Sequence, residues 1–563
     1  MNAALLAAIT FALFALGYRF YSSFLSRRIF ALADDEPVPS REFEDGVDFV
    51  PTRRSVLWGH HYTSIAGAAP IVGPAIAVIW GWLPALLWVA LGTVFMGAVH
   101  DFAALVISLR NRGRSIGDVA GTVIGPRVRI AFLLIISFLI WIVLAVFAFI
   151  IGTLFVANPG AIFPINVQIL VAIGLGWLVY RRGVGIFAPS IVGYVVLIAA
   201  IFAGDAFVER FPIVATLSVS TWVWILLVYS FVASVLPVWL LLQPRDYLNA
   251  HQLITGLALL TLGLVVLHPT IQAPIVNASP PGAPPMIPFL FITIACGAIS
   301  GFHGLVSSGT TSKQIGCMSD ARAIGYGGML GEGTLGLLAV LAATAGFAST
   351  SEWWSHYASW GEASGLGAKL DAFVSGGATF VAAVGIPHAT ARTFIAVMVI
   401  AFAATSLDTG ARIQRLIIAE LADAYGVRVF TNRYAAGALG IGAALLLAVT
   451  QAGGKGGLIL WPLFGTTNQL VAGVTLLVIS VWLRRAGKPV AYTLLPMIFV
   501  GAATVIAMLG ELRGYIAHFS EQWLLAIMGG LILVLDVWVI LEGVRVLIAA
   551  RPPEPAPDPA PGG

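Results

Sequence analysis

Charge is scarce in this sequence. Of its 563 residues only 10% are Asp, Glu, Lys or Arg, 59% are hydrophobic, and the mean hydropathy is +0.95. A soluble globular chain is about a quarter charged, so a water-facing surface of ordinary size is excluded and a polytopic membrane protein is implied. Cysteine is scarcer still: Cys296 and Cys317 are too few for a disulfide framework. No Gly-Lys-Ser/Thr phosphate loop occurs, which argues against an ATP-driven pump within this chain. No metal-site spacing occurs either, since His60 and His61 are consecutive and no cysteine pair supports them. The first apolar run, near 2–20, lacks a basic leading segment and a small-residue cleavage site, and reads as a retained span rather than a signal peptide. The net charge of +4 is small, and nothing points to nucleic acid. No catalytic residue, metal or cofactor is expected.

What the sequence does have is long apolar runs. They lie near 2–20, 57–80, 84–109, 130–156, 165–180, 186–204, 220–242, 252–268, 287–309, 323–348, 388–421, 434–450, 457–482, 489–510 and 522–547, which predicts about fifteen transmembrane helices in an all-α protein. With the N-terminus outside, all Lys and Arg fall on the inner side except Arg210, Lys369, Arg392, Lys455 and Arg513, the bias the positive-inside rule predicts. An odd number of spans then leaves the Pro-rich tail cytoplasmic, where its composition reads as disorder. The chain accordingly divides into a first helix with a cytoplasmic linker (1–55), a membrane core (56–485), two C-terminal helices (486–548) and the tail (549–563). Residues 349–375, with Trp353, Trp354 and Trp360, read as an interfacial cap on the outer side.

Two of the runs are unsuited to simple anchoring. Gly59-His-His-Tyr-Thr-Ser-Ile-Ala-Gly-Ala-Ala-Pro-Ile-Val-Gly-Pro74 places histidines, hydroxyls, glycines and prolines inside a span. Such residues weaken a helix or cost free energy in hydrocarbon. Broken backbone is tolerated at membrane depth only where protein buries it or a watery cavity adjoins it, as in the discontinuous helices of secondary transporters. Ile299-Ser-Gly-Phe-His-Gly-Leu-Val-Ser-Ser-Gly-Thr-Thr311 has the same character, and Gly59, His61 and Gly67 align with Gly301, His303 and Gly309 at one constant offset. The two spans run in opposite directions, as an inverted repeat requires. A third irregular segment, Trp461-Pro-Leu-Phe-Gly-Thr-Thr-Asn-Gln469, is expected to interrupt its span.

These segments, together with Tyr18-Arg-Phe-Tyr21, Asp45-Gly-Val-Asp-Phe-Val-Pro-Thr52, Gly97-Ala-Val-His-Asp-Phe102, Leu240-Leu-Leu-Gln-Pro-Arg-Asp-Tyr-Leu-Asn249, Ile292-Thr-Ile-Ala-Cys-Gly and Ser406-Leu-Asp-Thr409, resemble the carbon starvation protein A family of peptide and pyruvate transporters. The resemblance covers most of residues 18–485. It implies the broken-helix, inverted-repeat fold of amino-acid/polyamine/cation transporters, and a role in the response to carbon starvation.

Ionisable groups inside spans cost roughly 3 kcal/mol each and need a reason. Asp101 is a coupling candidate, the alternative being a pair with Arg110 or Arg112 at the rim; its neighbour His100 points about 100° away on a helix and is not expected to share its face. Glu332, between Gly331 and Gly333 with no basic residue nearby in its span, is a candidate proton carrier. Asp408 is a third, with an ion pair to Arg412 at i+4 as its bland reading. Thr405 and Ser406 match, by the resemblance, the hydroxyl ligands of an inner cation site. For substrate, His61, Thr63, Gly67, Gly73, His303, Ser307, Ser308, Gly309 and Thr310 are the candidates, with half-helix N-termini at 67–74 and 304–311 offering N–H groups to a carboxylate. His60, Trp461, Asn468 and Gln469 are gating or supporting candidates, the amides serving equally as helix–helix hydrogen bonds.

The reading these support is a cytoplasmic-membrane symporter importing a small carboxylate such as pyruvate, or short peptides, with a proton; sodium is the other candidate ion. Two alternatives are a membrane-embedded metalloenzyme using His60, His61, His100 and His303, and a transporter-derived nutrient sensor.

Overall fold

The computed structural model describes residues 1–550, and these are almost wholly helical; among them there is no strand, only two isolated bridges, Asn2 to Thr270 and Thr52 to Ile315. Eleven helices are long and apolar enough to cross a bilayer, and a twelfth crossing is the bent pair Arg54–Ile65 and Ala69–Trp80. That is fewer than fifteen. Val219–Val235 and Arg433–Val449 are apolar but only 17 residues each, and the segment near 287–309 is divided into Met286–Thr293 and Gly301–Gly309. The proline-rich tail, beyond Ala550, lies outside the described residues.

Helices differ in what they bury. Trp461–Arg485 is enclosed along nearly its whole length, and the two longest helices, His388–Ala424 and Pro126–Ala157, lie along each other in the interior. Phe187–Arg210 and Phe519–Ala549 instead present large apolar side chains outward, such as Phe202 at 69% and Val534 at 67% exposure. With no polar alternation on those faces, hydrocarbon is the solvent that suits them.

The molecule has two distinct ends. One, the linker face, carries residues 30–53. The other, the cap face, carries the loop after His268 and the short helices Thr350–His356 and Trp360–Ala363. Two of the three cap tryptophans dock on protein: Trp353 donates to the Ala343 carbonyl at 3.1 Å, and Trp360 packs against Trp80 with the ring centroids 5.3 Å apart and the planes tilted by 39°. Trp354 is exposed at 43%. Helix Leu366–Ala382 belongs to this face and does not cross. Its far end meets the cap-side ends of neighbouring helices, Phe380 against Gly263 and Gly376 against Ala342, and the chain then starts His388–Ala424 from the same side.

Candidate functional site

The first broken helix bends by 46° between Ile65 and Ala69. Pro70 has no N–H and its ring clashes with the carbonyl four residues back, so it favours a kink or break here. Side chains are also excluded here. A Cβ on Gly67 would sit 2.6 Å from Ser406 Oγ, and one on Gly73 would sit 2.4 Å from the Thr293 carbonyl oxygen. The second contact brings one broken helix directly against the other.

In the second, residues 294–300 are unwound around Gly297, whose φ of +92° is left-handed backbone that favours glycine. Neighbouring side chains satisfy the freed backbone groups. Gly297 N–H donates to Glu332 Oε1 at 3.1 Å, Thr93 donates to the Gly297 carbonyl at 2.9 Å, and Trp88 to that of Ile294 at 3.1 Å. Asn468 Oδ1 accepts the Phe302 N–H at 2.8 Å, capping the half-helix from another chain segment, and Gln469 donates to the Ile299 carbonyl at 3.2 Å. The half-helix therefore begins at Gly301, not 304, and its counterpart in the first break begins at Ala69, not 67. Nor does the Trp461 segment interrupt its span: Trp461–Arg485 is one helix, with Pro462 in its first turn where proline is tolerated.

Beside the second break lies a chain of buried ionisable groups. Asp101 receives His100 Nδ1 at 2.8 Å and His303 Nδ1 at 3.1 Å, and His303 Nε2 lies 3.2 Å from Glu332 Oε2; all four side chains have zero exposure. Three elements meet here: helix Ala98–Arg110, half-helix Gly301–Gly309 and helix Gly327–Ala345. A neutral imidazole donates from only one ring nitrogen. With a carboxylate facing each nitrogen of His303, both contacts are hydrogen bonds only if the ring is protonated or one carboxyl is. Only the Nδ1 contact has hydrogen-bond geometry; His303 Nε2 and Glu332 Oε2 face each other at 3.2 Å without it, so a proton placed between them is what would complete the bridge.

Two sequence expectations are corrected here. Asp101 pairs with neither Arg110, which binds Glu36, nor Arg112, which lies over Phe43. His100 and Asp101 do touch, because the imidazole leans sideways far enough to reach its neighbour.

A second polar chain links other helices. His60 Nδ1 contacts Asp246 at 2.6 Å, Arg245 reaches both Asp246 and Asp408, and Tyr229 donates to Asp408 at 2.8 Å. Asp408 is therefore not the i+4 partner of Arg412. Arg245 and Asp246 had no role assigned from sequence, although an Arg-Asp pair following Gln-Pro in an apolar run was the available signal.

The hydroxyl candidates face varied partners. Thr63, Ser308 and Thr310 donate to carbonyls four residues back in their own helices, as Ser and Thr commonly do; only Ser307 Oγ is buried without a partner. Thr405 accepts from Asn249 at 2.6 Å, and Ser406 donates to the Ser64 carbonyl at 2.9 Å. His61 Nδ1 meets Thr311 Oγ1 at 2.9 Å, tying one broken helix to the other, while Gly309 faces Ile413. Among the described residues, the cluster of ligand-type atoms close enough to share a metal is Cys296, His303 and Glu332. The four histidines of the metalloenzyme reading do not form such a cluster together.

A cavity of about 670 Å³ opens at the cap face between the broken helices and helices Trp461–Arg485 and Ala491–Ala517. Its walls include Gly73, Trp461 and Cys296, and Cys296 stands between it and the Glu332–His303 pair. Of the substrate candidates, Gly73 is the one that lines it. Polar contacts cross the linker face. Asp48 binds Arg412 at 2.5 Å and Arg415 at 2.7 Å, and Thr52 N–H donates to the Gln314 carbonyl at 3.0 Å, just past the second half-helix. Burial opposes ionisation of Asp48, but the two guanidiniums outweigh it and hold its carboxyl well below the usual range.

A model of the family described as "Carbon starvation protein CstA" matches residues 2–351 and 345–507. A "Peptide transporter CstA" from Campylobacter jejuni is 33% identical over 92% of this chain and 81% of its own length, and one from Mycobacterium tuberculosis is 35% identical over 84% and 70%. The "Pyruvate/proton symporter BtsT" of Escherichia coli is 38% identical over 59% of this chain and 48% of its own. Among solved structures, an Eremococcus coleocola manganese transporter superposes with a TM-score of 0.51 at 12% identity, over 89% of this chain and 99% of its own, which is a likeness of fold.

Proposed function

This chain belongs to the carbon starvation protein CstA family and is a multi-pass membrane transporter rather than an enzyme; from that premise we propose that it is a secondary symporter importing a small carboxylate-bearing carbon source, pyruvate or a short peptide, together with a proton. The observation that carries the reading is the bridge Asp101–His303–Glu332. It joins a broken helix to two continuous ones, holds a proton whenever both of its contacts are made as hydrogen bonds, and lies behind the floor of the cavity. Movement of the half-helix would separate the carboxylates from the imidazole and so tie proton release to a change of conformation.

The same reading fixes topology. With the bent pair, the two 17-residue helices and the broken segment at 286–309 counted as crossings, there are fifteen. The N-terminus and cap face are then outside the cytoplasmic membrane, the linker face and C-terminus are cytoplasmic, and the state described is open outward. The two broken helices are the antiparallel members of an inverted repeat within 56–485. Induction under carbon starvation is the physiological setting the family name suggests.

The test is uptake of labelled pyruvate, alanine and dialanine into proteoliposomes with an imposed pH gradient. Uptake that follows the gradient and collapses with a protonophore supports the reading; uptake indifferent to both rejects it.

A further inference from the structure

The cavity at the cap face contains a charge arrangement that the proton bridge does not use. Lys369 is only 7% exposed, yet its ammonium makes no ion pair or hydrogen bond with any described residue; it lies 5.5 Å over the Trp461 ring. Glu511 lines the same cavity, with Oε2 accepting from Thr466 at 3.1 Å and no basic partner among the described residues. Tyr515, also 7% exposed and one helical turn past Glu511, lines the same cavity and directs its hydroxyl toward the Glu511 carboxyl. A basic and an acidic side chain face one enclosed space without pairing, so the charged form of either is costly there unless something else supplies its counter-charge. No other Lys, Arg, Asp or Glu lines this space.

The rest of the wall is apolar and aromatic, including Trp360, Trp461 and Phe464. Its 670 Å³ is within the usual size of small-molecule sites and is much larger than a three-carbon acid fills. We propose that this vestibule is a two-pole site for zwitterionic solutes, binding the carboxylate at Lys369 and the ammonium at Glu511. Tyr515 donates to whichever polar group lies between the poles, and the aromatic walls cover the apolar remainder. The proposal rests on the transport reading in taking the cavity as the solute's route, and it deepens that reading by making both charged ends of the ligand necessary.

Calorimetric titration of the purified full chain separates the contributions. The probes are dialanine, its C-terminal amide, its N-acetyl derivative and pyruvate. Dialanine is expected to bind about tenfold or more tightly than the other three, since each loses one charge-assisted contact. In Lys369→Met the preference for dialanine over its amide disappears while amide binding is unchanged, which also shows that the variant is folded; Lys369→Arg restores the preference. In Glu511→Gln the preference over the N-acetyl derivative disappears. Equal affinity of the wild type for all four probes overturns the site, as does an intact preference in both variants. If the preferences behave as expected but no proton-driven uptake occurs, the site stands and the transport reading fails. Proton-driven uptake with preferences untouched by either variant gives the reverse.

Discussion

At the scale of single residues, the sequence marked the costly groups but not their partners. Asp101, Glu332 and His303 each stood out as polar in apolar runs, and the structure joins all three, from segments 202 and 35 residues apart along the chain for the contacts Asp101–His303 and Glu332–Gly297. No local pattern encodes such distant pairing. Asp408 and Arg412 show the opposite hazard, a plausible i+4 pair in sequence whose members each have a distant partner, Arg245 and Asp48. Glu332→Gln is expected to abolish uptake driven by a pH gradient while leaving solute counterflow largely intact, because the amide keeps the volume and can accept from Gly297 but cannot release a proton. Counterflow lost together with driven uptake would instead mark Glu332 as structural. Lys369 adds a pH dependence at the vestibule. Burial lowers its pKa to about 8, so its charge is complete below that value and lost above it. Affinity for the N-acetyl derivative of dialanine, which has no ammonium of its own to titrate near 8, should therefore fall as external pH rises through 8, and Lys369→Arg should flatten the fall. Glu511, Tyr515 and His518 line the same space, so the profile is to be compared with that of Glu511→Gln before it is attributed to Lys369.

At the scale of elements, breaks were more legible than their limits. Glycine, proline and hydroxyl density located both broken helices, because those residue types together weaken a helix interior. Proline also misled. Pro462 looked like an interruption and is instead part of a helix start, where its missing N–H costs nothing. The half-helix starting at Gly301 was hidden because its cap, Asn468, comes from a helix far along the chain. Glycines along the breaks are not equivalent. Gly73→Ala puts a methyl 2.4 Å from the Thr293 carbonyl, which is backbone and cannot rotate away, whereas a Cβ on Gly309 meets Ile413 at 3.3 Å. We expect Gly73→Ala to abolish uptake in protein that still inserts, and Gly309→Ala to retain most of it. Equal activity of the two, measured at matched amounts in the membrane, would show that the contact between the broken helices is not part of the transport cycle. The case for sodium also belongs to this scale. Asn249 directs an N–H at Thr405 Oγ1, and Ser406 donates to the Ser64 carbonyl, so both hydroxyl oxygens are held in place while each keeps a lone pair that a cation could use. Uptake with acid outside should persist without sodium. Its disappearance there, with recovery on a sodium gradient at equal pH, would return Thr405 and Ser406 to the ion site.

At the scale of the whole molecule, one end is open and the other is latched, and the latch lies in a segment with no part in the cavity. Residues 30–53 run across the linker face. Asp48 there engages Arg412 and Arg415 on the longest helix, and Val50 and Thr52 pair with the backbone just past the second half-helix. These contacts can form only while the half-helix and the long helix keep their present spacing, so they stabilise the cap-open state over any state open at the linker face. Asp48→Asn removes the charge and leaves two buried guanidiniums without it. Losing such a contact is worth about 1–3 kcal/mol, which shifts the ratio of the two states by about 5- to 150-fold. Cys296 offers a direct readout, since it lines the cavity and the chain has only one other cysteine. In a Cys317→Ser background, a membrane-impermeant thiol reagent applied from the cap side should label Cys296, more slowly in Asp48→Asn than with Asp48 intact. Dialanine should protect Cys296 in both if it occupies the cavity above it. Labelling at the same rate with and without Asp48 would mean that the linker covers the closed end without holding it shut.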